Sequence, residues 1–122
     1  MASNTLRRIC GPVALSSTYT TNILNVGTYT GGVGVNSGAV SPFLIVRHIH
    51  VTNKASTATF RLFLGATGGN AAGTELVYNQ SVAAGTSWDW YGQFRMDAAD
   101  FLVGGASAAT TLTLVAYGEV GA

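Results

Sequence analysis

His48 and His50 are the side chains best placed by type and spacing to do chemistry. Two residues apart on an extended strand, they project to the same side, so both imidazoles could reach one ion. Zinc then requires a third and a fourth ligand. The chain holds no further histidine and a single cysteine, and carboxylates at Glu75, Asp89, Asp97 or Asp100 could serve. Nothing in their spacing brings them to the histidine pair. The expectation is therefore no metal site, with both imidazoles hydrogen-bonded to neighbours on a half-buried strand.

Other catalytic patterns are equally thin. Asp97 and Asp100, with Asp89, are not arranged as two carboxylates whose environments push their pKa values apart across a cleft. They are also too sparse for a calcium loop. Turn capping, or pairing with Arg95, is the expected role. No serine sits in a Gly-x-Ser-x-Gly turn. The glycine-rich stretch at 31–38 (GGVGVNSG) opens no helix, and that at 65–70 (GATGGN) lacks the Gly-Lys-Ser/Thr ending of a phosphate loop. Cys10 stands alone, cannot form an internal disulfide, and reads as a small buried apolar residue. No catalytic residue, no metal and no cofactor is expected, and the chain reads as a non-enzyme.

Binding is better represented. In Trp88-Asp89-Trp90-Tyr91 the two indoles share one side of a strand, and Asp89 and Tyr91 share the other. Paired aromatics either pack into the core, anchor a protein interface, or stack on sugar rings. Arg7 and Arg8 form the one basic pair, too small for a groove that tracks phosphates.

The elements that must position these groups are β-strands. Residues 43–53 (FLIVRHIHVTN) and 58–65 (ATFRLFLG) are rich in β-branched and aromatic residues and are joined by Lys-Ala-Ser-Thr, which predicts an antiparallel hairpin. Strict alternation places Phe43, Ile45, Ile49 and Val51 on one side with Arg47 breaking the stripe. Leu44, Val46, His48, His50 and Thr52 fall on the other. In the second run Ala58, Phe60, Leu62 and Leu64 form the apolar side. Weaker strands are expected within 13–26, at 75–78, at 87–94, at 101–103 closed by Gly104-Gly105, and at 111–120. Residues 27–42 and 65–73 read as glycine-rich loops, and 95–100 as the one possible helical turn. The motif Ala-Ala-Gly-Thr occurs at 71–74 and again at 83–86, spaced like successive turn-plus-strand units. Residues 1–12 read as an extended arm, and 13–122 as one all-β domain, an antiparallel β-sandwich.

At 122 residues the chain can bury roughly two-thirds of its unfolded surface in a single core. Charged residues make up 9% and hydrophobic ones 48%, with a mean hydropathy of +0.33. About 25% charged is usual for a soluble domain. A surface this poor in charge is expected to be covered by copies of itself or by a partner. The net charge of +1 implies no general attraction to nucleic acid or to an anionic membrane. No apolar run reaches the roughly 18 residues of a membrane span. Residues 9–15, after the arginine pair, are too short and too broken by Gly11 and Pro12 to read as a signal peptide.

The second half carries a resemblance. His48 to Asn53 (HIHVTN), Thr59-Phe60-Arg61-Leu62, Gly73-Thr74-Glu75-Leu76 and Ser81-Val82-Ala83-Ala84-Gly85 resemble a pattern of small structural proteins of tailed bacteriophages. Ala99 to Val103, Ala106-Ser107, Leu112-Thr113-Leu114 and Gly118-Glu119-Val120 continue it. The likeness runs from about Ile45 to the C-terminus and does not cover the first 40 residues. It implies a jelly-roll-like sandwich and a self-associating virion component, assembled in the host cytoplasm, and it carries no catalytic residues. The leading expectation is a capsid decoration (cement) protein, forming homotrimers that bridge the major capsid protein or other virion proteins. Arg7 and Arg8 of the arm would clamp an acidic shell, and loss of residues 1–11 would leave the domain folded. A tail, connector or fibre component is the alternative within that class. A carbohydrate-binding module using Trp88 and Trp90 is the alternative outside it, and Tyr91 completes the set of candidate interaction residues.

Overall fold

The computed structural model describes residues 6–26, 43–66, 68–69, 73–97 and 99–120. These form eight strands: β1 (Leu6–Ala14), β2 (Thr21–Asn25), β3 (Phe43–Asn53), β4 (Ala58–Gly65), β5 (Glu75–Val82), β6 (Ser87–Asp97), β7 (Phe101–Ala106) and β8 (Leu112–Val120). They build two four-stranded antiparallel sheets, ordered β1-β8-β3-β6 and β2-β7-β4-β5. No helix occurs among the described residues. Inward side chains from both sheets make one core, with Leu44, Ile49 and Leu114 from the first meeting Phe60, Leu62 and Leu102 from the second. The all-β sandwich expected from strand-length apolar runs and glycine-rich turns is the architecture found.

The expected hairpin is not. β3 pairs with β6 and β8, while β4 pairs with β5 and β7, so the two runs lie in different sheets. Every connection changes sheet except that between β4 and β5. A short polar joint is compatible with either outcome. What decides here is that both strands bury an apolar face, and facing sheets bury two such faces against each other. The corner is made by Asn53, which is 1% exposed. Its Nδ2 donates to the carbonyls of Ser56 and Val82, both at 2.8 Å, and its Oδ1 accepts from the Ala55 N–H at 2.9 Å. Its backbone N–H donates to the Thr86 carbonyl and its own carbonyl accepts from Gly85 N–H, both at 2.9 Å. One buried amide thus ties the β3–β4 corner to the β5–β6 turn.

Alternation along β3 also departs from expectation. The register slips between Val46 and His48 in both of its pairings. Leu44 and Val46 are buried before the slip, and Ile49, Val51 and Asn53 after it, so the inward parity reverses at Arg47. A bulge shifts every later side chain to the opposite face. Arg47 does not interrupt an apolar stripe; it stands at the point where the stripe changes phase.

The segment read as an arm is, from Leu6 onward, strand β1 paired with β8. Two register shifts let the adjacent residues Ile9 and Cys10 both turn inward, at 0% and 1% exposure. Gly11 has φ +83°, and a side chain there would collide with the Leu114 carbonyl. Residues 1–5 lie outside the described residues. Gly104 and Gly105 continue β7 instead of closing it, because a Cβ at either would meet the carbonyl oxygen of Arg61 or Thr18. Residues 95–97 extend β6, and the expected helical turn reduces to a tight turn in which Asp100 N–H donates to the Asp97 carbonyl. Both copies of the Ala-Ala-Gly-Thr motif place their glycine at positive φ, +97° at Gly73 and +75° at Gly85, directly before β5 and β6. The expected loop over 27–42 lies outside the described residues.

Three stability outcomes follow. Asn53→Leu strips partners from buried backbone groups of two turns and should lower unfolding free energy by about 2–4 kcal/mol in urea denaturation. Removing residues 1–11, contrary to the arm reading, takes away most of β1. It should abolish cooperative unfolding, and Ile9→Ala alone should cost about 2–4 kcal/mol.

Candidate functional site

The outer face of the β1-β8-β3-β6 sheet carries the densest cluster of functional side chains. The bulge at Arg47 turns both Arg47 and His48 outward, and period two then brings out His50 and Thr52. On β6, Asp89 and Tyr91 face the same way. The register sets Asp89 directly across from His50, and Tyr91 across from His48. On the other flank Tyr117 of β8 lies across from His48, and Arg8 of β1 lies across from Tyr117. One row over four strands therefore reads Arg8, Tyr117, His48, Tyr91.

Asp89 organises the centre. Its Oδ1 lies 2.7 Å from His48 Nε2 and 2.7 Å from His50 Nδ1. His48 reaches diagonally with its far nitrogen, and His50 reaches straight across with its near one. The other nitrogen of His50, Nε2, lies 2.8 Å from Thr52 Oγ1. The His48 ring is stacked between Tyr91, with centroids 4.3 Å apart and planes at 11°, and Tyr117, at 5.4 Å and 17°. Side-chain exposures of 23% for His48, 34% for His50 and 33% for Asp89 leave the cluster reachable from solvent. Hydrogen bonds from His48 and then His50 hold the Asp89 carboxyl below its ordinary value. Beside it, Arg47 donates to Glu119 Oε2 at 2.8 Å and to Gln93 Oε1 at 3.2 Å. A shallow open groove of about 380 Å³, lined by Leu6, Arg47, His48, Tyr91, Gly92 and Glu119, draws its walls from all four strands of this face.

Asp89 is the correction to the sequence reading: a carboxylate does reach the histidine pair. It stands 39 residues from His50, and only the pairing of β3 with β6 brings them together. Among the described residues, His48, His50 and Asp89 are the one group of three metal-ligating side chains, with ligand atoms all within 4.8 Å of one another. The remaining carboxylates serve local ends. Asp97 accepts from Arg95 Nε at 2.7 Å, Asp100 accepts from the Asp97 N–H at 2.8 Å, and Glu75 accepts from the Gly73 N–H at 2.9 Å.

The other expected interaction residues divide. Trp88 and Trp90 point inward, half-buried against the core. Trp88 packs edge-on to Phe60 at 5.1 Å, and Trp90 against Phe94 at 5.6 Å. Their rings are engaged there and form no platform on the outer face. Tyr91 does stand out, at 72% exposure. Arg8 is half-buried at the end of the four-strand row, and the Arg7 side chain lies outside the described residues. Cys10 is buried, which pushes its thiol up to about 12 and leaves it unreactive at neutral pH. A feature that sequence reasoning missed sits on the other sheet: Arg61 lies over the rings of Tyr19, at 4.3 Å, and Tyr78, at 4.5 Å, and donates to Asn79 Oδ1.

No known protein family, curated protein or solved structure matches the chain.

The Asp89 arrangement has a measurable signature. A carboxyl whose pKa is lower folded than unfolded contributes stability in full above its unfolded value, near 3.8, and loses it as pH falls through the lowered folded value. Carbon-detected NMR should show the Asp89 midpoint below that of an ordinary aspartate. It should return toward 3.8 in the His48→Gln, His50→Gln double variant.

Proposed function

We propose that this chain is a structural component of a bacteriophage virion, a decoration protein that self-associates as a trimer on the head shell. The observation that carries the reading is the strand order. The sets β1-β8-β3-β6 and β2-β7-β4-β5, crossed at every connection but one, support a jelly-roll reading of the sandwich, an arrangement common in viral coat proteins. The resemblance of residues 45–122 to small phage structural proteins supports the same reading. So does a chain with only 9% charged residues, whose exposed large apolar side chains include Leu6, Leu76 and Tyr91.

The mechanism is steric and adhesive, without catalysis. A rigid sandwich presents Tyr91 and Leu6 at its surface, and burial of apolar area against neighbours contributes roughly 25 cal/mol per Å² before the cost of association. Three copies close on themselves at a three-fold position and leave no open surface for runaway assembly. Any clamp from the N-terminus falls to residues 1–5, since β1 belongs to the fold.

Imaging of particles assembled with and without the protein tests this directly. Added density in three-fold clusters over the head is the expected result. Density along the tail or at its tip would move the role to a tail or fibre component. A protein that sediments as a monomer at high concentration and binds neither heads nor tails would refute the proposal.

A further inference from the structure

We propose that His48, His50 and Asp89 form a binding site for a divalent transition metal of the zinc class on the outer face of the β1-β8-β3-β6 sheet. This inference stands apart from the virion reading and does not depend on it.

Three observations carry it. First, the donors converge: two imidazole nitrogens approach one carboxylate oxygen at 2.7 Å, and all three ligand atoms fit within 4.8 Å. Donors about 2.1 Å from a tetrahedral zinc lie about 3.4 Å from one another, so each nitrogen-to-oxygen contact needs to open by about 0.7 Å. Second, the ligands are held in place from outside. The His48 ring is fixed between Tyr91 and Tyr117, and His50 Nε2 is engaged by Thr52 Oγ1. Outer partners of this kind orient the rings and aim the ligating nitrogens. Third, the donor set selects. Two imidazoles with one carboxylate suit zinc, cobalt, nickel or copper, whereas magnesium and calcium favour all-oxygen shells.

Proton balance is simple. Without metal, His48 Nε2–H and His50 Nδ1–H both donate to Asp89. On binding, each neutral imidazole carries its proton on the opposite nitrogen, where the Thr52 hydroxyl oxygen accepts that of His50. The two lone pairs and the carboxylate then face the metal, and solvent completes the shell. Because the ligands come from β3 and the edge strand β6, the ion fastens that edge to the sheet. The unfolded chain lacks the site, so binding stabilises the folded state.

The test uses the full chain. Calorimetric titration with Zn²⁺ should show one saturable equivalent, and magnesium or calcium should show none. Thermal melting should rise by several degrees with Zn²⁺ and fall back on adding EDTA. His48→Gln and Asp89→Asn should each weaken Zn²⁺ binding at least tenfold. Thr52→Val, a positioning change, should weaken it about 10-fold or more with the fold retained. In the unsubstituted chain, ¹⁵N shifts of His48 Nε2 and His50 Nδ1 should both move during the titration, a readout that needs no variant to fold. Absence of saturable Zn²⁺ binding, ring-nitrogen shifts that do not move, or a His48→Gln, His50→Gln variant that binds as tightly as the parent would each overturn the proposal.

Discussion

One buried amide holds the two sheets to a common corner. Asn53 sits at the end of β3 with 1% exposure, and its side chain and backbone together make five hydrogen bonds to the β3–β4 joint and the β5–β6 turn. A polar group withdrawn from water is tolerated only when its donors and acceptors are met, and here they are met by backbone groups that would otherwise be orphaned themselves. The consequence is topological. The corner is fixed where β3 leaves one sheet and β4 enters the other, and burial of the apolar sides of both strands closes one core.

That closure divides each strand into an inner and an outer face. On β6 the division sends Trp88 and Trp90 inward and Asp89 and Tyr91 outward. On β3 it is complicated by the bulge at Arg47, which allows Leu44 and Val46 to share the interior with Ile49 and Val51 although the two pairs are out of phase. The same irregularity presents Arg47 and His48 side by side to solvent. Packing and surface chemistry are thus two results of one backbone event. The bulge satisfies the core and, in doing so, sets His48 in register with Tyr91 and Tyr117 and within reach of Asp89.

Much of the fold was legible from local pattern. Strand-length apolar runs, scarce charge and glycine-rich turns pointed to an antiparallel sandwich, and the glycines of the Ala-Ala-Gly-Thr repeat, Gly73 and Gly85, stand just before strands β5 and β6. What misled was the assumption that alternation runs unbroken and that neighbours in sequence are neighbours in a sheet. The first failed at Arg47. The second failed at the joint after Asn53. Residues 1–12 read as an arm because they are polar and carry Arg7 and Arg8, and because Ile9 and Cys10, both inward, are adjacent instead of alternate and show no strand period. Gly104 and Gly105 read as a turn, because close approach of a neighbouring backbone leaves no trace in the local sequence.

By itself the sequence determined composition and period: an all-β chain, few charges, two histidines on one side of a strand, and indoles facing away from Asp89 and Tyr91. Those properties depend on residue type and on the two-residue repeat of extended backbone, both local. Tertiary structure alone decided which strands pair, where the alternation slips, and which carboxylate meets His48 and His50. Those depend on cross-strand register between segments some 40 residues apart, which is set by burying both apolar faces at once and not by any single stretch of chain.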